Sequence, residues 1–212
     1  MKKVYYFFKL LLNLSKIAKD EKNTDAAIMI ADCLYHMDLL EAEEKMAKID
    51  LAGTDLVSQR RMMDGYDIQK LNELPDGTLA KSYANHMISQ NLQPNFYKNI
   101  PVVNDSTYIM MRMRETHDLW HILTGFNTTV PGELGLQAFM FAQLHTPFAP
   151  IVICGRSLVS VFKKPDEVVE VFENVSKGWQ MGRKAKPIFG LDWEKNWAKP
   201  VNQLREEYQI VI

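Results

Sequence analysis

Apolar residues recur at three- and four-residue spacing through most of the chain, and strict apolar–polar alternation is scarce, a pattern that predicts an all-α fold. Met1 to Lys19 sets Val4, Phe7, Phe8, Leu10, Leu11, Leu12, Leu14 and Ile17 among five lysines and no acid, which predicts an amphipathic first helix. Residues 24–37 read as a second helix with Thr24 as its N-cap, followed by shorter, more charged segments near 39–49 and 55–64. Leu74-Pro75-Asp76-Gly77-Thr78 is a turn and start signal for a helix running to about Asn91, which Gln93-Pro94-Asn95 closes before a loop holding Pro101.

The next helix is expected to be capped by Ser106, to continue from Tyr108 to Thr124 and to stop at Gly125 with Asn127. After a short turn, Thr128 or Thr129 caps a further helix with Pro131 in its first turn, where a missing N–H costs little. Together they form a helical hairpin with a tight connection. From Leu134 to Gly155 no charged residue occurs across 22 positions, but Pro147, Pro150, Gln143 and His145 argue against one membrane span. The stretch reads either as two buried helices broken at Thr146-Pro147 or as the wall of an apolar groove for a lipid-like ligand. Pro165-Asp166-Glu167 then starts a helix whose expected core stripe is Val168, Phe172, Val175 and Trp179. Lys177, Arg183, Lys184 and Lys186 make either a solvated helix end or a contact for phosphate or headgroups.

Composition narrows this picture. With 212 residues, 47% apolar and 24% charged, one helical domain over residues 1–212 is expected. A net charge of -1 gives no reason to expect the basic footprint of a nucleic-acid partner. Cys33 and Cys154, far apart in apolar surroundings, read as small core residues in a reducing cytoplasm. Lys9 interrupts the first apolar stretch and no small-residue cleavage site follows, so a signal peptide is not expected. The first helix then either packs on the domain or lies on an anionic membrane with its lysines at the headgroups.

Candidate chemistry sits in the hairpin. His117 and His121 are four apart, roughly 40° around a helix and one turn along it, with Asp118 roughly 60° from His121. Glu133 falls in the first turn of the following helix, and a tight hairpin makes that turn the neighbour of the one holding His121. Imidazoles with carboxylates suit Zn2+, Fe2+ or Mn2+, and two carboxylates would balance the ion's charge. By spacing alone, two histidines at this interval are as readily ordinary core or surface residues. His36, His86 and His145 lack comparable partners in sequence and read as structural.

The run His117-Asp118-Leu119-Trp120-His121, then eleven residues, then Glu133, resembles the signature of the ubiquinone (coenzyme Q) biosynthesis Coq-four family. Leu74-Pro75-Asp76-Gly77-Thr78-Leu79 with Ser82-Tyr83-Ala84 is similar as well. So are Arg112 to Glu115, Gly132-Glu133, Gly182-Arg183-Lys184-Ala185 and Trp193-Glu194. The resemblance covers residues 70–212 and leaves the N-terminal helices of residues 1–65 outside it. It implies a helical fold with zinc or another divalent metal on His117, Asp118, His121 and Glu133. It also implies action at C1, by decarboxylation, on a polyprenyl benzoate-type intermediate, and organisation of other quinone-biosynthesis enzymes. The first arginine is Arg60, which does not fit an Arg-rich presequence and points to a bacterial relative, cytoplasmic or peripheral on the inner face of the membrane. The implied partners are a prenylated lipid or quinone precursor, a membrane surface and a second copy in a homodimer. The alternative is a non-catalytic isoprenoid-lipid-binding scaffold with a structural metal. A metal phosphohydrolase is a third reading, and it lacks the further histidine and aspartate such enzymes use. The sequence carries no flavin or nicotinamide fingerprint, and zinc itself has no redox chemistry.

Overall fold

The structure, a computed structural model, describes residues 2–20, 23–50, 56–63, 66–93 and 101–212. Its first helices are α1 (Lys2–Lys19), α2 (Thr24–His36), α3 (Glu41–Asp50), α4 (Leu56–Gln59), α5 (Ile68–Asn72) and α6 (Leu79–Ser89). They are followed by α7 (Asp105–Thr124), α8 (Val130–Leu144), α9 (Phe148–Lys163), α10 (Val168–Lys184) and α11 (Val201–Tyr208). Among the described residues no strand forms, and a lone bridge joins Thr78 to Pro200, so the all-α expectation holds. Pro94 and Asn95, expected to close α6, lie outside the described residues.

The chain gathers into two compact units. One draws on residues up to Met46 and on Asn127–Arg183, the other on Ala47–Phe126 and Lys184–Ile212.

In the first unit α8 is buried almost all round, and its apolar residues meet α9 and α10. Leu134, Val152 and Val171 form a core cluster with Val130, Phe148, Ile153 and Val175 packed against it. The uncharged stretch breaks where Thr146-Pro147 predicts: α8 ends on His145 in the left-handed conformation (φ 53°) and α9 begins after Pro147. The expected stripe on α10 holds at Val175, which packs on this cluster, and is corrected at Phe172 and Trp179. Val171, Gly178, Met181 and Gly182 face inward, whereas Phe172 and Trp179 are exposed. Glycine, not the aromatics, lets α10 approach α8. A Cβ on Gly178 would fall on the Gly135 carbonyl oxygen, and one on Gly182 would lie 2.7 Å from the Phe139 carbonyl oxygen. Gln143 Nε2 donates to the Gly182 carbonyl at 2.8 Å along the same seam.

Helix α1 packs through Leu10, Asn13 and Ile17 against α2 and α9, with Leu14 lying over Gly155 and Lys163 donating to the Ala18 and Lys19 carbonyls. Its other side leaves Val4, Tyr5, Phe7, Phe8, Leu11 and Leu12 exposed, and α9 adds Leu158, Val161 and Phe162, the last 79% accessible. The first helix therefore packs on its unit along one side only. Among the described residues no helix is long and apolar enough to cross a membrane. Cys33 is buried as expected, but Cys154 stands exposed on α9, a correction to its reading as a core residue. Asn23, not Thr24, caps α2, accepting the Ala26 N–H at 2.8 Å.

In the second unit the start of α6 is tied to the C-terminal segment. Thr78 caps α6, and the Leu79 and Ala80 N–H groups, which no helical carbonyl can reach, donate to the Lys199 and Trp197 carbonyls. Helix α7 crosses this unit with Tyr108, Ile109, Arg112, Leu119 and Trp120 fully buried.

Candidate metal centre

Helix α7 presents the candidate ligands, and both of its ends are fixed. Asn104 accepts the Thr107 N–H while Thr107 Oγ1 accepts the Asn104 N–H, a reciprocal capping box. Ser106, expected as the cap, is instead buried inside the first turn. At the far end Gly125 adopts φ 74° and donates to the His121 carbonyl at 2.8 Å. Arg205, arriving from α11, donates Nε to the Leu123 carbonyl at 3.0 Å and Nη2 to the Ile122 carbonyl at 2.9 Å. These carbonyls are among the four that a helix end leaves without partners.

On the opposite face of α7, Arg112 and Glu115 pin the helix from behind. Arg112 Nη1 meets Glu115 Oε2 at 3.3 Å, and Nη2 donates to the Leu191 carbonyl at 3.1 Å. Glu115 Oε1 accepts the Met63 N–H at 2.9 Å. Burial pushes the Glu115 carboxyl up, and the Met63 and Arg112 bonds pull it only part of the way back. Tyr108 donates to the Arg61 carbonyl at 2.7 Å, and burial pushes its phenol up to about 12, so it remains a donor across the physiological range.

His117 and His121 come together as their spacing predicts. Their Nε2 atoms are 3.2 Å apart, with the rings nearly perpendicular. His121 is buried, and its Nδ1 lies 2.9 Å from the Phe126 carbonyl oxygen. A carbonyl can only accept, so Nδ1 carries the proton and the Nε2 lone pair faces His117. Two nitrogens bound to one tetrahedral ion at about 2.0–2.1 Å would be about 3.3 Å apart. The donor set and its spacing thus fit a divalent cation, with the Phe126 carbonyl orienting the His121 ring as outer partners of metal-bound histidines do.

Asp118 is on the same helix, but its Oδ1 meets His86 Nε2 at 3.3 Å. Burial pushes the Asp118 carboxyl up, and the His86 hydrogen bond with the nearby His117, His86 and His121 imidazoles outweighs it, holding the group below its ordinary value. His86, in the last turn of α6, also stacks on His121, with centroids 5.9 Å apart and planes 23° apart. Sequence spacing gave no partner for His86, because its partners are brought by another helix. Its one visible signal is its position beside Tyr83 and Met87 at the edge of the buried stripe of α6.

Glu133 stands half-buried in the first turn of α8, in the first unit. Thr129 caps that helix by accepting the Gly132 N–H at 3.3 Å, while Thr129 itself bonds the Asn127 side chain. A Cβ on Gly132 would fall on both oxygens of Asn127, so glycine alone lets the loop fold directly over the start of α8. The start of α8 that the sequence predicts, with Thr129 as cap and Pro131 in the first turn, is present.

The family model described as "Coenzyme Q (ubiquinone) biosynthesis protein Coq4" matches residues 18–212, well beyond the 70–212 of the sequence resemblance. A ubiquinone biosynthesis protein coq4, mitochondrial, from Aspergillus niger is 34% identical over 66% of this chain and 48% of its own length. A COQ4 homolog from Xenopus tropicalis is 27% identical over 91% of this chain and 69% of its own. The chain spans about half the length of the first fungal relatives it matches. A crystal structure of a candidate ubiquinone biosynthesis protein from Nostoc punctiforme PCC 73102 superimposes with a TM-score of 0.83 at 26% identity, covering 98% of this chain and 97% of that one.

Proposed function

Since the chain belongs to the Coq4 family of coenzyme Q (ubiquinone) biosynthesis proteins, we propose that it is a metal-dependent protein acting at C1 of a polyprenyl benzoate-type intermediate, in removal of the ring carboxyl group. A divalent cation, Zn2+ or alternatively Fe2+ or Mn2+, is held by His117 and His121, with Glu133 as the further ligand that the sequence signature implies. Asp118 completes the charge balance beside them. The observation that carries this reading is the His117–His121 pair, whose facing Nε2 atoms and anchored Nδ1 set two imidazole nitrogens at the spacing one ion needs. Bound there, the cation would act as a Lewis acid toward the carboxylate and phenolic oxygens of such a ring. The chain's own part is to orient: the Phe126 carbonyl fixes the His121 tautomer, and the capping box with Arg205 fixes the helix that carries it.

Elemental analysis with solvent extraction on one preparation tests this. The wild type is expected to carry about one divalent ion per chain, and His121→Ala to lose nearly all of it while staying helical. Equal metal content in the two proteins would end the metal reading. Glu133→Ala is expected to fail to restore quinone synthesis in a strain lacking the family member.

A second reading, an isoprenoid-lipid-binding scaffold that organises other quinone-biosynthesis enzymes at a membrane surface, is favoured by the apolar side of α1 and α9. Helix α1 carries five lysines and no acid around that side, which suits an anionic bilayer. Co-sedimentation with vesicles containing an anionic phospholipid is expected, and it should weaken with salt and in Phe8→Glu/Phe162→Glu. Unchanged binding by that variant removes this surface from the proposal. If folded Glu133→Ala fully restored quinone synthesis, the scaffold reading would replace the enzymatic one.

A further inference from the structure

We propose that His86 is a positioning residue of the metal centre, acting through Asp118 and His121 without binding the ion itself; the inference rests on the metal reading above. Two contacts reach from α6 to neighbouring positions on α7: Nε2 to Asp118 Oδ1 at 3.3 Å, and ring to ring with His121 at 5.9 Å and 23°. An aspartate at a cation site has two oxygens and a freely rotating carboxyl group, so which oxygen faces the ion depends on what holds the other. His86 Nε2–H donates to Oδ1 and so leaves Oδ2 as the oxygen not held by His86. The stacked ring meanwhile limits rotation of His121, whose edge is already tied to the Phe126 carbonyl. With Nε2 engaged by the carboxylate, His86 acts as an outer partner, and such partners typically set metal affinity by ten- to a hundredfold. The support is rigid, because α6 is fixed at its start by Thr78 and by the carbonyls of Trp197 and Lys199.

Two variants separate the contacts. His86→Phe keeps an aromatic ring for stacking and removes the donor, while His86→Gln keeps an N–H of similar reach and removes the ring. Titration of the full chain with Co2+, followed by its visible absorption, is expected to show affinity lowered about ten- to a hundredfold in His86→Phe and within about threefold of wild type in His86→Gln. The unfolding midpoint of the metal-free proteins should stay unchanged. Equal affinity of His86→Phe and wild type overturns the inference and leaves the metal reading standing. Equal, strong loss in both variants also overturns it, since that is the mark of a direct ligand. Wild type that binds no Co2+ overturns the metal reading and this inference with it. A readout independent of metal is the tautomer of His86 in long-range nitrogen–proton spectra of the metal-free protein. The Nε2-protonated form is expected, altered in Asp118→Ala, and an Nδ1-protonated ring in the wild type would refute the contact.

Discussion

Glu115→Ala is expected to lower the stability of the fold by about 3–5 kcal/mol, because it leaves a buried guanidinium without its counter-charge. The Arg112 side chain is 1% accessible and that of Glu115 8%, so water cannot replace the lost carboxylate. The Met63 N–H loses its acceptor at the same stroke, adding an unsatisfied donor. For a chain of this size the midpoint of thermal unfolding, followed by far-ultraviolet circular dichroism, should fall by roughly 10–15 °C. Replacing both partners, as Arg112→Met with Glu115→Leu, should recover much of that loss, since two apolar residues need no counter-charge. A single variant as stable as the wild type would show that the pair does not hold α7 against its neighbours. The pair's titration has an unusual sign. A carboxyl whose folded value lies above its unfolded one favours the fold below the unfolded value and loses that increment as pH rises through the folded value. Glu115→Gln should therefore steepen the fall of stability toward acid.

Gly178→Ala is expected to be the most damaging single-methyl addition in the first unit. The new Cβ would fall on the Gly135 carbonyl oxygen and lie 2.8 Å from its carbon and 3.2 Å from the Phe139 nitrogen, all backbone atoms that cannot turn aside. Alanine gains about 1 kcal/mol over glycine in a helix interior. Overpacking against fixed atoms costs about 3 kcal/mol, the upper end of its usual range. The clash wins by about 2 kcal/mol, and a drop of roughly 4–8 °C in the unfolding midpoint follows. Gly155→Ala is the internal comparison, because its Cβ would meet only the flexible end of Leu14 at 3.2 Å. That variant should be neutral or slightly stabilising. Equal effects at the two glycines would mean that α8 and α10 are not held by backbone approach.

The end of α7 and the start of α8 were legible because their signals are local. Gly125 needs a left-handed turn, Thr129 a cap and Pro131 a first-turn position, and the four-residue interval of His117 and His121 is a helix period. Ser106 and Asn104 are both good caps, and only the reciprocal bond with Thr107 decides between them. The stripe on α10 was misread for a different reason. Hydrophobic periodicity weighs a side chain by its size, so Gly178 and Gly182 carried no weight, although their lack of one is what admits α8. His86 and Arg205 act on α7 from sequence distances at which no period operates. For His86 the stripe of α6 announces burial at most, and no spacing announces the partner of either residue.

Arg205 ties the last turn of α7 to a helix some eighty residues away, and the tie runs through main-chain oxygens that every residue type possesses. Substitutions at Ile122 or Leu123 therefore leave it intact, whereas its loss depends on one guanidinium. Opening of α11 removes the acceptors' partner at the turn that carries His121, so these two segments belong to one cooperative element that frays or holds together. A cation taken up at His117 and His121, as proposed above, would then also favour order in the C-terminal helix.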